Sequence, residues 1–129
     1  MFTQEHVADV TTDDIYKAET EILKEMVDEG SCVIAGRSGF HVFRDHPNHM
    51  SVFITASDAN RIRRVMKKQG LTEESAKALI EDIDKKRENY IKRYTGSSRY
   101  DVRNYDVVLN ADGHTEEQLA DIIMAYMAE

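Results

Sequence analysis

Residues 32–40 read Cys-Val-Ile-Ala-Gly-Arg-Ser-Gly-Phe. The apolar run 32–35 stops abruptly at Gly36, which suits a buried strand of a parallel sheet, apolar on both faces. Gly36, Arg37 and Gly39 then fall where such a strand leaves the sheet, and in open α/β sheets ligands bind in crevices beyond the carboxyl ends of strands. Arg37, set between small residues, is placed to grip an anion with its planar fork. A surface arginine in a turn is the plainer alternative, although strand-end loops carry function more often than other loops. Cys32, inside the apolar run, is expected to be a small core residue and not a nucleophile.

Outward from this stretch, helices alternate with strands. Upstream, Thr11, Thr12, Asp13 and Asp14 make a helix start, and Ile15, Ala18, Ile22, Leu23 and Met26 follow at helical spacing until Gly30. Residues 1–10 show no period and are expected to be loosely ordered. Downstream, Phe40, Val42 and Phe43 suggest a short packed turn or helix, ended around Pro47, the one proline. Residues 50–55 read as a second strand centred on Val52, Phe53 and Ile54. Ser57 caps a helix to Gln69, closed by Gly70, with Ile62, Val65 and Met66 inward and Arg61 and Arg64 together on another face. Thr72 caps the longest helix, to about Tyr94. Arg87 lies on its apolar stripe, where a permanent charge needs a partner. Asp84, one turn earlier, is the local candidate. The pair reads either as an intrahelical ion pair or as an anion-binding arginine oriented by the helix. Residues 95–104 are polar, with Arg99 and Arg103, and 105–110 form a third strand. Thr115 and Gln118 make a capping box for the last helix, which is expected to pack through Leu119, Ile122, Ile123, Tyr126 and Met127.

Three strands separated by helices argue for an α/β fold with parallel strands in a single domain, 1–129. Three strands are few for a sheet covered by two helix layers. Hydrophobic content of 41% and charged content of 32% fit a folded globular chain. No apolar run approaches the roughly 18 residues of a membrane span, and residues 1–6 lack the basic and apolar blocks of a signal peptide. One cysteine allows no internal disulfide, which suits a reducing cytoplasm. The net charge of −7 disfavours nucleic acid. Between Arg61 and Arg103, however, 13 Lys/Arg stand against 7 Asp/Glu. A basic middle in an acidic chain points to a local anionic ligand, although most of these lysines read as solvated helix surface. His41, His46 and His49 have no Cys or Glu at a recognised ligand spacing, so no metal site is expected.

Taken in order, these residues resemble the cytidylate kinase-like branch of the nucleoside monophosphate kinases. Gly36-Arg37 resembles the family's Gly-Arg after a core strand. Pro47 followed by Ser51-Val52-Phe53-Ile54-Thr55-Ala56-Ser57 resembles its Pro, strand and Ala-Ser segment. Arg61 and Arg64 fit its Arg-x-x-Arg, Asp84-Lys85-Lys86-Arg87 its Asp-x-x-Arg, and Tyr94-Thr95-Gly96 with Asn104-Tyr105-Asp106 its later signatures. The resemblance implies a P-loop-kinase-like three-layer α/β/α fold with a parallel sheet. It also implies transfer of phosphate from ATP, with Mg, to CMP or a similar nucleotide. Carried over, Arg37, Arg61 and Arg87 would hold the acceptor's phosphate and Asp84 would reach its sugar. Residues 72–103 would be the lid-like region. Ser38 stands where classical members carry Asp, and Ile80 where they carry a further arginine.

The family's Gly-x-x-x-x-Gly-Lys-Ser/Thr stretch does not occur in the 129 residues. The chain is therefore expected to resemble the later two-thirds of such a kinase, with about three strands and the P-loop strand missing. No turnover is expected from it alone. A non-catalytic remnant that binds a nucleotide or a protein is the alternative, and a purely structural domain a third reading. An unpaired strand edge beside the gap would favour a homodimer.

Overall fold

The structure, a computed structural model, describes residues 11–36 and 38–128. Arg37 and the 1–10 stretch therefore lie outside the described residues. The chain divides into two units, Met1–Gly36 and Arg37–Glu129.

In the first unit, helix α1 (Thr12–Glu29) begins where the hydroxyl and acidic residues predict. Thr11 Oγ1 accepts the Asp14 N–H at 3.1 Å, and Asp14 Oδ2 accepts the Thr11 N–H at 3.2 Å, so two of the helix's orphan donors are satisfied reciprocally. Its apolar stripe has the right spacing, yet Ile15, Ile22 and Met26 remain exposed. Residues 31–35 form no strand. Val33 is 98% exposed and Cys32 is exposed, so both the buried strand and the core cysteine expected here are corrected. The reason is non-local. A four-residue strand is held by ladder hydrogen bonds to its neighbours, and an apolar composition does not supply them.

The second unit opens with the one-turn helix α2 (Gly39–Val42). Strands β1 (Val52–Thr55) and β2 (Val107–Asn110) then pair in parallel, in the register Val52↔Val107 to Thr55↔Asn110. The parallel sense agrees with the sequence, but the sheet is one strand short of the three expected. Aspartates pin both of its ends. At the start, Asp106 Oδ2 accepts the Ser51 N–H at 2.7 Å while the Asp106 N–H reaches Ser51 O at 2.9 Å. At the exit, Asp112 accepts the Ser57 N–H at 3.1 Å and the Asn60 side-chain amide at 2.7 Å. Ser51 is buried. Replacing Asp106 by alanine leaves its amide unsatisfied and is expected to lower stability by about 1–3 kcal/mol. Urea unfolding of Asp106→Ala measures this, and Asp106→Asn, which keeps an acceptor, should recover part of the loss.

Helices α3 (Asp58–Gln69) and α4 (Glu73–Thr95) follow β1 and pack on each other. Ser57 and Thr72 cap them, accepting the Asn60 and Ser75 amides at 3.3 and 3.2 Å. Gly70 and Gly96 close them at φ 64° and 71°, a left-handed conformation that glycine adopts without Cβ strain. Helix α5 (Glu116–Ala128) carries the expected box, Thr115 Oγ1 accepting the Gln118 N–H and Gln118 Oε1 accepting the Thr115 N–H. Its inward stripe is narrower than expected. Leu119 is buried, but Ile122, Tyr126 and Met127 are exposed, because a two-stranded sheet offers little surface for a helix to cover. The buried hydrophobic residues described are Phe43, Ala76, Ile91 and Leu119. The result is a mostly helical α/β unit around a small parallel sheet. Among the described residues no helix is long and apolar enough to cross a membrane.

Candidate functional site

The long helix α4 and the start of α3 bring two of the sequence-predicted residues together. Ser57 begins α3, and one turn later Arg61 faces α4. Arg61 Nη1 donates to Asp84 Oδ2 and Nη2 to Asp84 Oδ1, both at 2.7 Å. This is the fork-to-fork geometry that guanidinium and carboxylate make best. The side chains are 33% and 21% exposed, so the pair is only partly open to water. The hydrogen bonds from Arg61 hold the Asp84 carboxyl below its ordinary range, and they raise Arg61 above its own. The charges of Arg99 and Arg87 add to the lowering of Asp84.

Two expectations change at this point. Asp84 pairs with Arg61, 23 positions away, and not with Arg87. Arg87 is exposed and makes no ion pair among the described residues, where the apolar stripe had suggested a half-buried charge. Arg61 and Arg64 also part company: Arg64 turns to the exposed Glu116 at 3.4 Å. Arg37 lies outside the described residues, just beyond Gly36, whose φ of 79° makes a turn there.

The residue that sequence reasoning left among the polar loop residues is Arg99. Its guanidinium lies 3.6 Å from Asp84 Oδ1 and is 18% exposed. It sits 5.6 Å from the ring centroid of Phe53 on β1 and 5.2 Å from that of Tyr100. The loop holds it from behind. The Arg99 N–H donates to Glu88 Oε1 at 3.0 Å, Ser98 Oγ to Glu88 Oε2 at 2.7 Å, and the Tyr105 hydroxyl to the Arg99 carbonyl at 2.6 Å. Burial pushes the Glu88 carboxyl up, but the hydrogen bonds from Ser98 and the Arg99 amide, with the nearby Lys92 and Arg99 charges, outweigh it and leave Glu88 lowered. Burial raises the Tyr105 hydroxyl. The rings of Phe53 and Tyr105 meet at 5.0 Å in a tilted pair, so Arg99 rests on aromatic residues of β1 and of the approach to β2.

Three cations, Arg61, Arg87 and Arg99, thus bear on one aspartate. Asp58 beside Arg61 and Glu88 beside Arg99 offset part of this charge, and what the cluster offers an anion is guanidinium forks that match its oxygens. Among the described residues no group of three His, Cys, Asp or Glu gathers to hold a metal ion. His49 meets the Ser51 hydroxyl at 3.1 Å, and His46 accepts the Asn48 N–H at 3.1 Å.

Residues 1–113 match the model of the family described as cytidylate kinase-like. Among solved structures, the crystal structure of an uncharacterized protein from Eubacterium ventriosum superposes with a TM-score of 0.86 at 27% identity, over 91% of this chain and 74% of that chain. No curated protein matches the chain.

Proposed function

This chain belongs to the cytidylate kinase-like family, and on that premise we propose that it forms the acceptor side of a nucleoside monophosphate kinase, binding CMP or a similar nucleotide. The observation that supports this most is the Arg61–Asp84 clasp between α3 and α4, two family-matched residues that meet with the charges of Arg87 and Arg99 also bearing on Asp84. In this reading the acceptor phosphate takes the fork of Arg61 in place of Asp84, assisted by Arg87 and Arg37. A phosphate and a carboxylate offer the same pair of acceptor oxygens to a guanidinium, so the exchange keeps Arg61 bonded throughout. Asp84, released from Arg61, is then free to accept from the sugar hydroxyls. The lid-like region would be 72–103, which carries Asp84, Arg87 and the Arg99 loop.

The family uses ATP with Mg as donor. The residues present do not fit that group: no acidic cluster gathers among the described residues, and the sequence holds no Gly-x-x-x-x-Gly-Lys to cradle the donor phosphates. No transfer step is therefore assigned to these residues, and the chain alone is expected to turn over no ATP with any nucleoside monophosphate in a coupled assay.

Calorimetry with CMP tests the acceptor site. Arg87 is the cleanest probe, because it is exposed and its loss breaks no ion pair described in the fold. Arg87→Ala is expected to weaken CMP by about tenfold or more, the worth of one charge-assisted hydrogen bond, with the thermal midpoint of the free chain unchanged. Equal affinity in the wild type and the Arg37→Ala/Arg87→Ala variant would refute the site.

A further inference from the structure

Arg99 is placed as a ligand-binding residue is placed, and nothing in the fold uses its charge fully. Both oxygens of Asp84 are already taken by Arg61 at 2.7 Å, and Glu88, the other carboxylate close to Arg99, is bonded to the Arg99 amide and the Ser98 hydroxyl and not to its guanidinium. Arg99 Nη1 approaches it to 3.6 Å without making a hydrogen bond, and that nitrogen is closed off from solvent with no partner. A buried donor left unmade is costly, and more so on a charged group. The side chain is also not free to wander off and find water. Its backbone is tied on both sides, by Glu88 and by the Tyr105 hydroxyl, and its guanidinium carbon lies over the rings of Phe53 and Tyr100.

From this we infer that Arg99 is a further phosphate-binding guanidinium of the acceptor site, gripping with Arg61 the phosphate of a phosphate monoester. The inference rests on the acceptor-site reading above and extends it to a residue the family motifs did not mark. The geometry of the donors selects the ligand class. A phosphate monoester supplies negative charge on its terminal oxygens, so one phosphate can take the fork of Arg61 and also reach Nη1 of Arg99. A neutral nucleoside supplies none. The rings of Phe53 and Tyr100, with centroids 5.6 and 5.2 Å from the guanidinium carbon, support the group, and its N–H donors are what it offers an anion.

The test compares CMP with cytidine, which differ only in the phosphate. Calorimetry on the full chain is expected to show that Arg99→Gln lowers CMP affinity by about tenfold or more and leaves cytidine affinity where it was. Arg99→Lys keeps the charge but loses the fork, and should fall between wild type and Arg99→Gln. A merely structural role would weaken both ligands alike. In the unaltered chain, where folding is not in question, the Arg99 Nε–Hε resonance of a 15N-labelled sample should shift on adding CMP and stay still on adding cytidine. If Arg99→Gln and Arg99→Lys keep the wild-type preference for CMP while Arg87→Ala loses it, Arg99 is no ligand residue although the acceptor site stands. If the wild type itself shows no preference for CMP over cytidine, the acceptor reading fails and this inference with it.

Discussion

Asp84→Ala is expected to destabilise the chain by about 1–3 kcal/mol, because it removes the carboxylate that takes both fork bonds of Arg61 and leaves only the more distant charges of Asp58 for Arg61 and Glu88 for Arg99. Exposed ion pairs contribute about 0–1 kcal/mol, but this one differs in geometry and burial. Both Asp84 oxygens accept hydrogen bonds at 2.7 Å, and Arg99 waits at 3.6 Å behind them. The loss should follow pH with a definite sign. The folded-state pKa of Asp84 is lowered by its bonds to Arg61, so its contribution is fully present above the ordinary aspartate value of about 3.9 and is lost as pH falls through the folded value. Urea titrations of wild type and Asp84→Ala should therefore differ most near neutrality, and the gap should narrow below about pH 4. Glu88 and Asp112 are lowered too, and Asp101 to about 2, so the wild type alone would report their sum. The difference between the two chains isolates Asp84. A gap that stays constant from pH 7 to pH 3 would show that the cost is packing and not charge.

What the sequence disclosed depended on how local each feature is. The caps at Ser57, Thr72 and Thr115 and the closing glycine Gly70 stand where they are expected, because each is decided within about one helical turn. The parallel sense of β1 and β2 followed from the helices between them. The run 32–35 departs from its expected strand for the opposite reason. Its composition is that of a strand, but a strand exists only through neighbours, and composition does not show whether they are present. Asp84 was assigned to Arg87 by its spacing of three on one helix. The bidentate fork of Arg61 prevails over that proximity, and a contact from another helix leaves no periodic trace. Arg99 was hidden in a polar loop. Its signals were the excess of basic residues over 61–103 and the aromatic residues Phe53, Tyr100 and Tyr105 that converge on it, and neither singles out one arginine without the fold.

Ile91→Ala is the packing change expected to reach the site. Ile91 is one of few buried hydrophobic side chains, at 5% exposure, and it lies on α4 between Glu88 and Thr95. Truncating a buried isoleucine costs about 2–5 kcal/mol, part of it from the cavity left behind. The neighbours of Ile91 decide what that cavity does. Thr95 Oγ1 donates to the Ile91 carbonyl at 2.7 Å and accepts the Ser97 N–H at 3.1 Å, while Glu88, one turn earlier, holds the Ser98 hydroxyl and the Arg99 amide. Loosening this end of α4 should therefore release the loop that positions Arg99 before it frees Arg61, which is tied to the middle of the helix at Asp84. Hydrogen exchange is the measurement. The amides of Ser97 and Arg99 should lose protection more than those of α3, and chemical denaturation should show the global loss. Met127→Ala is the comparison: Met127 is exposed, and its removal should change stability by no more than about 0.5 kcal/mol. Uniform loss of protection across α3 and the 97–101 loop in Ile91→Ala would mean that the loop has no independence from the helix pair, and that Arg99 is positioned by the whole unit and not by the end of α4.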